Sequence, residues 1–367
     1  GTLVRGAYGV FYDRPFEKLW QTLRNTHVVL GGFPTSSFQT NYLTPIPTVL
    51  RAYQGRRFNT DFPPLTLVQP GLRDAYAQHY FFGLQRPLTE EWTLEVNILS
   101  ALGRKLLTTD SVNRPFSRPP DFVSNPDGRL NPALAPISYR ANQGSSHYQA
   151  LTAVARYRRS GRFFQAAYTW SHSLDNQSEP LAGDFFDLSF TRLTSGSGRA
   201  AVSAFSRQFD SRTDRGSSDF DQRHNLVWFS LWELPAGFRF SQLAAFRSGF
   251  PYTVTAPSRF SLDGEWIVNN RADVVSGSTA ADAPADGGRR VLDLRAFREP
   301  PAGRLGNSGR NAFSGPGLFN IDLSLSRTFQ LPWLGEAGRA TLRADAFNFL
   351  NHANLNNPES LITSDHF

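Results

Sequence analysis

Cysteine and methionine are both absent from the 367 residues, and lysine occurs only as Lys18 and Lys105. Without cysteine there is no disulfide framework, no thiolate metal cluster and no thiol chemistry. No run of about 18 consecutive apolar residues exists, which excludes a membrane-spanning helix. Amphipathic helical periodicity is scarce too, and none separates the strand-like segments. The mean hydropathy of −0.37 fits a soluble protein and equally a transmembrane barrel, because alternating strands average out to modest hydropathy. An initiator methionine and a signal peptide are also missing: the chain opens mid-strand at GTLVRGAYGVFYD and reads as a piece of a longer protein.

What is abundant is arginine, aromatic residues, glycine and proline. The net charge of +7 raises the question of nucleic acid. The arginines are scattered, however, many beside a carboxylate as in Asp219-Phe-Asp-Gln-Arg223, with no basic run interleaved with aromatics. No nucleic-acid partner is expected.

The most informative stretch is LFNIDLSLSRTFQLP, residues 318–332. One face carries Phe319, Ile321, Leu323, Leu325, Arg327 and Phe329, and the other Asn320, Asp322, Ser324, Ser326 and Thr328. At ~3.3 Å per residue, Phe319 to Phe329 spans roughly 33 Å. Tilted by ~40–45°, that projects to about 24 Å, close to the ~25 Å apolar band of an outer-membrane barrel. Aromatic residues at the two ends then meet the headgroup regions, and Arg327 extends its guanidinium towards phosphates. The polar face lines a wet interior. A soluble β-sandwich also alternates, but strand length and aromatic ends speak for the barrel.

The same pattern recurs. Trp92, Leu94, Val96 and Ile98 alternate with Thr93, Glu95 and Asn97; Phe164, Ala166, Tyr168 and Trp170 share one face; Leu342, Ala344 and Ala346 alternate with Arg343 and Asp345. Further strands are expected at 2–12, 77–86, 91–99, 104–112, 137–143, 148–158, 162–173, 223–234, 238–248 and 339–350. The segments 223–234 and 238–248 are apolar on both faces, so periodicity does not orient them. The class is all-β: an antiparallel transmembrane β-barrel, partial, with about 10–12 long strands of a larger barrel. Long loops are expected at about 13–76, 113–146, 174–222 and 249–317. After residue 147, short and long connections take turns, the habit of such barrels. Before it the parity falters.

Lumen-facing candidates by alternation are Glu95, Asn97, Asn320, Asp322, Ser324, Arg343 and Asp345. Membrane-girdle candidates are Trp92, Trp170, Phe319 and Phe329. Enzyme signatures do not emerge. None of the histidines 27, 79, 147, 172, 224, 352 and 366 lies at metal-ligand spacing from another. Asp219, Asp221 and His224 in SSDFDQRH read as charged residues where a loop enters a strand. Ser171-His172-Ser173 lacks a nucleophile elbow. GRLGNSGRNAFSGPG, 303–317, contains no phosphate-loop pattern. No catalytic residue, cofactor or metal is expected.

GNSGRNAFSGPGLFNIDLSLSRTFQLP followed by RATLRADAFNFLNHANLNNP closely resembles the C-terminal barrel of TonB-dependent outer-membrane receptors, most of all the large Oar-like group. RGAYGVFYDRP (5–15), GLQRPLTEEWTLEVNILSALGRKLL (83–107), YQALTAVARYRRSGRFFQAAYTWSHSLDN (148–176), DFDQRHNLVWFSLWELP (219–235) and AFRSGFPYTVT (245–255) continue the likeness in order. The resemblance implies active uptake of an unidentified small ligand across the outer membrane of a Gram-negative bacterium. It implies a barrel of about twenty-two strands, an N-terminal plug, outer-membrane lipid around it, and the TonB–ExbB–ExbD complex as energy source, reached through the plug. No plug, TonB-contacting box or regulatory-like β domain is recognisable in these residues. LITSDHF breaks the alternation expected of a closing strand, which is expected downstream. Two other classes stay open: a plug-less passive channel or structural outer-membrane protein, and a secreted soluble carbohydrate-binding β protein.

Overall fold

The computed structural model describes residues 1–14, 65–115, 128–131, 134, 136–179, 204–260, 266–275, 279–285, 288–335 and 338–367. The interiors of the expected loops 13–76, 113–146, 174–222 and 249–317 thus fall partly outside the described residues. Among the described residues, nine long strands form one sheet: β1 (Leu3–Asp13), β2 (Ala75–Pro87), β3 (Trp92–Val112), β4 (Ile137–Arg159), β5 (Arg162–Asp175), β6 (His224–Glu233), β7 (Phe238–Arg247), β8 (Leu318–Gln330) and β9 (Arg339–Ala346). They pair in sequence order, each antiparallel to the next. Two short segments complete an 11-membered sheet: Leu65–Val68, parallel to β4, and Gly216–Ser217, beside β5. The all-β antiparallel architecture is as the alternation predicts. The sheet is open, with β1 and β9 as its two edges.

The expected breaks at 100–103 and 144–147 are not turns. Residues 92–112 form one strand of 21 residues, and residues 137–159 one of 23. The reason is a bulge. The β3–β4 register shifts between Gly103 and Leu106 and again before Thr108, and Lys105 sits at φ 53°, in the left-handed region. An inserted residue in that conformation bends a strand without ending it. Gly103-Arg104-Lys105 therefore has turn chemistry but a strand on either side. Gly144 faces Leu106 across the bulge, and a Cβ there would lie 2.7 Å from the Leu106 carbonyl oxygen, so glycine is required by close approach.

With these two strands continuous, the connections alternate along the whole chain. Residues 88–91, 160–161, 234–237 and 331–338 join strands at one rim, and 14–74, 113–136, 176–223 and 248–317 at the other. In the tightest turn, Gly161 takes φ 67°, which costs a residue without Cβ little.

The main cluster of buried apolar residues lies off the sheet. Tyr252, Val254, Ala272, Leu292, Phe297, Ile362 and Phe367 pack together under the long connection 248–317 and the C-terminal segment. Phe367 stands edge-on to Phe297 with ring centroids 5.8 Å apart; it belongs to this cluster and to no long strand. The upper half of the β3–β4 hairpin is buried too, at Thr108, Thr109, Asp110, Ile137, Arg140 and Ala141, whereas its lower half is largely open.

Candidate functional site

Directly paired residues of an antiparallel sheet share a face, so the register carries the orientation of β8 across all nine strands. The face of Phe319 continues through Phe246, Ala244, Phe240 and Phe238 on β7 and Leu226, Trp228, Ser230 and Trp232 on β6. It runs on through Ala166, Tyr168 and Trp170 on β5, Leu151, Ala153 and Tyr157 on β4, and Trp92, Leu94, Val96 and Ile98 on β3. It ends in Tyr80, Phe82 and Leu84 on β2 and Val4, Tyr8 and Val10 on β1. Among the described strand residues this apolar face holds no carboxylate.

The opposite face holds all the lumen-facing candidates, in two groups. Near β1–β5, Glu95 accepts from Arg5 at 2.6 Å, from Arg156 at 3.1 Å and from the Asn97 amide at 3.0 Å. Asn97 also donates to Thr152 at 3.3 Å, and Arg156 donates to Gln165 at 3.0 Å. At β8–β9, Asn320 donates to Asp322 at 2.9 Å, and Asp322 accepts from the Asn348 backbone at 2.8 Å. Arg343 donates to Asp345 at 2.9 Å and to Ser324 at 3.1 Å. Between the groups the same face is largely apolar: Val227 and Phe229 on β6 lie beside Ala245 and Leu243 on β7, and Leu231 beside Ser241, with Phe163 and Phe229 at 5.2 Å. The register thus orients the two strands that periodicity leaves ambiguous.

The girdle candidates lie on the apolar face near its two rims. Trp92 opens β3 and meets Tyr157 at 5.1 Å, which in turn stacks on Trp232 at 6.5 Å. Phe329, next to the last residue of β8, flanks Arg327, whose guanidinium lies 4.8 Å from its centroid and 5.0 Å from that of Phe238. At the long-connection rim, Phe319 packs on Phe246 at 4.5 Å and Phe246 on Trp228 at 5.2 Å. Trp170 stands there beside His224 in the register.

The residues that sequence reasoning missed are arginines paired with buried carboxylates, which tie the long connections together. Arg310 donates to Asp175 at 2.6 Å, Ser178 at 2.7 Å and Asp219 at 3.0 Å, and to the Asp214 carbonyl at 3.3 Å. Burial works most strongly against its charge, but the Coulomb fields of Asp219, Asp175 and Asp214 and the hydrogen bond to Asp175 together outweigh it and raise its pKa above the ordinary value. Arg271 meets Asp214 at 2.7 Å, and Asp214 also accepts from the Ser206 hydroxyl and amide, both at 2.6 Å. Arg114 pairs with Asp110 at 2.9 Å and donates to the carbonyls of Phe205 and Ser206. Arg304 holds Asp273 through two bonds of 2.7 and 2.5 Å. That hydrogen bonding, with the Asn307 amide and the Coulomb field of Arg304 and Arg298, keeps the Asp273 carboxyl below its ordinary range against the effect of burial. Burial pushes the Tyr252 phenol up to about 12. One signal points to Arg310: an arginine in a glycine-rich loop has no local carboxylate and must find distant ones.

Asp219, Asp221 and His224 do not converge. Asp219 accepts from Arg310 and from Asn311 at 2.6 Å, Asp221 binds His172 Nδ1 at 2.9 Å and the Ser173 amide at 2.7 Å, and His224 Nδ1 meets the Tyr168 hydroxyl at 2.8 Å. The arrangement braces a rim where a loop enters a strand.

A family model described as an outer membrane beta barrel domain matches residues 1–367. No curated protein matches the chain. Among solved structures it is similar to the outer membrane transporter YddB from Escherichia coli, with a TM-score of 0.42 and 11% identity over 79% of this chain and 31% of that one. It is also similar to the FrpB iron transporter from Neisseria meningitidis (F3-3 variant), with a TM-score of 0.37 and 9% identity over 79% of this chain and 29% of the other. The chain thus spans under a third of the length of these transporters.

Proposed function

Because the chain belongs to the outer membrane beta barrel domain family, and so lies in the outer membrane, we propose that it is one side of the barrel of a TonB-dependent receptor that takes up a small ligand actively. The apolar face meets lipid and the polar face lines the path. The observation that carries this is the register: it collects Glu95 and Asp345 with their arginine partners, and Asp322, on one face and leaves the other without a carboxylate among the described strand residues. Charges buried towards hydrocarbon are costly, and in barrels they turn to the lumen.

The edges support a larger barrel. Lipid satisfies no backbone N–H or C=O, so a spanning sheet must close. β1 and β9 run in the same direction, as the first and ninth strands of an up-and-down meander do. Joined directly they would make a parallel seam, so an all-antiparallel closure takes an odd number of further strands. Ion pairs brace the described parts of the long connections at one rim, and loops on a rigid scaffold are where recognition concentrates. TonB–ExbB–ExbD, acting through a plug outside these residues, is the energy source that the resemblance of the strand motifs to TonB-dependent receptors supports. The role is non-enzymatic.

The test is conductance and TonB capture with the full-length protein that carries this segment. A plugged receptor conducts little in a planar bilayer and binds the periplasmic domain of TonB. Stable open conductance without TonB binding would replace this reading with a passive channel. A monomer that stays in water without detergent would remove the barrel altogether.

A further inference from the structure

Both faces carry arginine, and on the polar face Arg158, Arg247 and Arg339 have no carboxylate partner among the described residues. Elsewhere on the polar face, Arg5 and Arg156 share Glu95, Arg239 meets Glu233 at 3.4 Å, and Arg343 meets Asp345. On the apolar face, arginine recurs beside the short turns: Arg86 one residue before the end of β2, Arg159 and Arg162 on either side of the 160–161 turn, and Arg327 near the end of β8. Arg104, beside the bulge, is at the opposite end. Arg86 and Arg162 are exposed and have no carboxylate partner among the described residues. Arg159 reaches only Glu91, at 3.8 Å, and Arg327 lies between two aromatic rings.

Of these four guanidinium groups on one rim of an apolar face, Arg86 and Arg162 find no anion among the described residues, Arg159 has only the distant Glu91, and Arg327 rests on aromatic rings with donors to spare. The rings of Trp92, Tyr157, Trp232, Phe238 and Phe329 share that rim and that face. Their strip ends about one hydrocarbon thickness from the aromatic residues at the other rim. At that depth the anion within reach is the phosphate of a phospholipid headgroup, and guanidinium matches phosphate bidentately. Long basic side chains extend along apolar surface to reach it.

We infer that the outward face of the short-turn rim is a phospholipid-headgroup belt, in which Arg86, Arg159, Arg162 and Arg327 bind lipid phosphates and set the depth of the barrel in the inner leaflet. This rests on the assignment of the apolar face to lipid given above.

The test uses the full-length protein in mild detergent, titrated with phosphatidylglycerol and followed by native mass spectrometry. Each arginine removed on the way to R86Q/R162Q/R327Q should weaken lipid retention about fivefold, the effect of one basic residue at an anionic surface. The charge-matched R212Q/R215Q/R295Q, on the long connections, should retain lipid like the wild type, and R86K/R162K/R327K should recover much of the loss. Equal retention by wild type and the glutamine variant, equal loss in the loop control, or displacement of the lipid by inorganic phosphate would each overturn the belt. Flotation with vesicles separates the two readings. If all variants float and retention is equal, only the belt falls; if the wild type does not float, the lipid-facing assignment falls and takes the belt with it.

Discussion

Replacing Arg114 by methionine should unlatch the long connections from the β3–β4 hairpin. Arg114 and Asp110 side chains are 2% and 1% exposed, so solvent does not screen the pair. The guanidinium also donates to the carbonyls of Ser111 at 2.6 Å, Phe205 at 2.5 Å and Ser206 at 2.9 Å. Asp110 accepts from the amides of Phe205 at 3.1 Å and Phe209 at 2.9 Å. Methionine fills similar space but leaves the carboxylate without its counter-ion and four carbonyls, that of Trp266 at 3.5 Å included, without that donor. Breaking a buried pair on one side costs about 3–5 kcal/mol. At ~1.36 kcal/mol per tenfold, the opening equilibrium of this region rises by roughly two to nearly four decades. Hydrogen exchange reads it directly: the Phe205 and Phe209 amides should exchange faster by that factor, while Val154 in the middle of β4 should not change. The double variant Asp110→Asn/Arg114→Met should be less damaged than Arg114→Met alone, because no buried charge is then left uncompensated. A change below about tenfold at Phe209, or a double variant worse than the single, would refute the reasoning.

Two further outcomes follow from the same geometry. Gly144→Ala should destabilise the bulge by about 1–3 kcal/mol, the usual cost of overpacking, since its Cβ meets the Leu106 carbonyl at 2.7 Å; thermal melting of the refolded protein checks it, and an unchanged melting point would mean the bulge yields freely. Asp273 is held below its ordinary pKa, chiefly by hydrogen bonds from Arg304. Its contribution to stability is therefore complete above the unfolded carboxylate value of about 3.9, and falls away as pH drops through the lower folded value. Proteolysis of the 273–307 region across an acid series should show that onset, moved to higher pH in Arg304→Gln; an onset identical in both proteins would sink the assignment.

Much of the barrel wall is legible from alternation alone. Successive side chains of a strand point to opposite faces whatever lies around them, so Glu95, Asn97, Asn320, Asp322, Ser324, Arg343 and Asp345 fall together, as do Trp92, Trp170, Phe319 and Phe329 on the other side. The partners of these residues are not legible in that way. Arg5 lies 90 positions from Glu95, and nothing local to either one foretells the 2.6 Å contact. It exists because β2 stands between β1 and β3, with Arg5 opposite Gly83 and Gly83 opposite Asn97.

Alternation, strand length and aromatic ends, all local in the chain, predict an antiparallel sheet whose clearest strands carry one polar and one apolar face. Tertiary structure decides what depends on a partner. Gly103-Arg104-Lys105 is chemically fit for a turn or a bulge, and becomes a bulge because Thr108–Val112 finds Ile137–Ala141 to pair with. The apolar-on-both-sides strands β6 and β7 acquire faces only from the register of their neighbours. Arg310 becomes the hub of the rim because folding brings Asp175 and Asp219 to it, from 135 and 91 positions away. A period of two is a property of one strand's own backbone; register, bulge and buried ion pair are properties of two segments meeting.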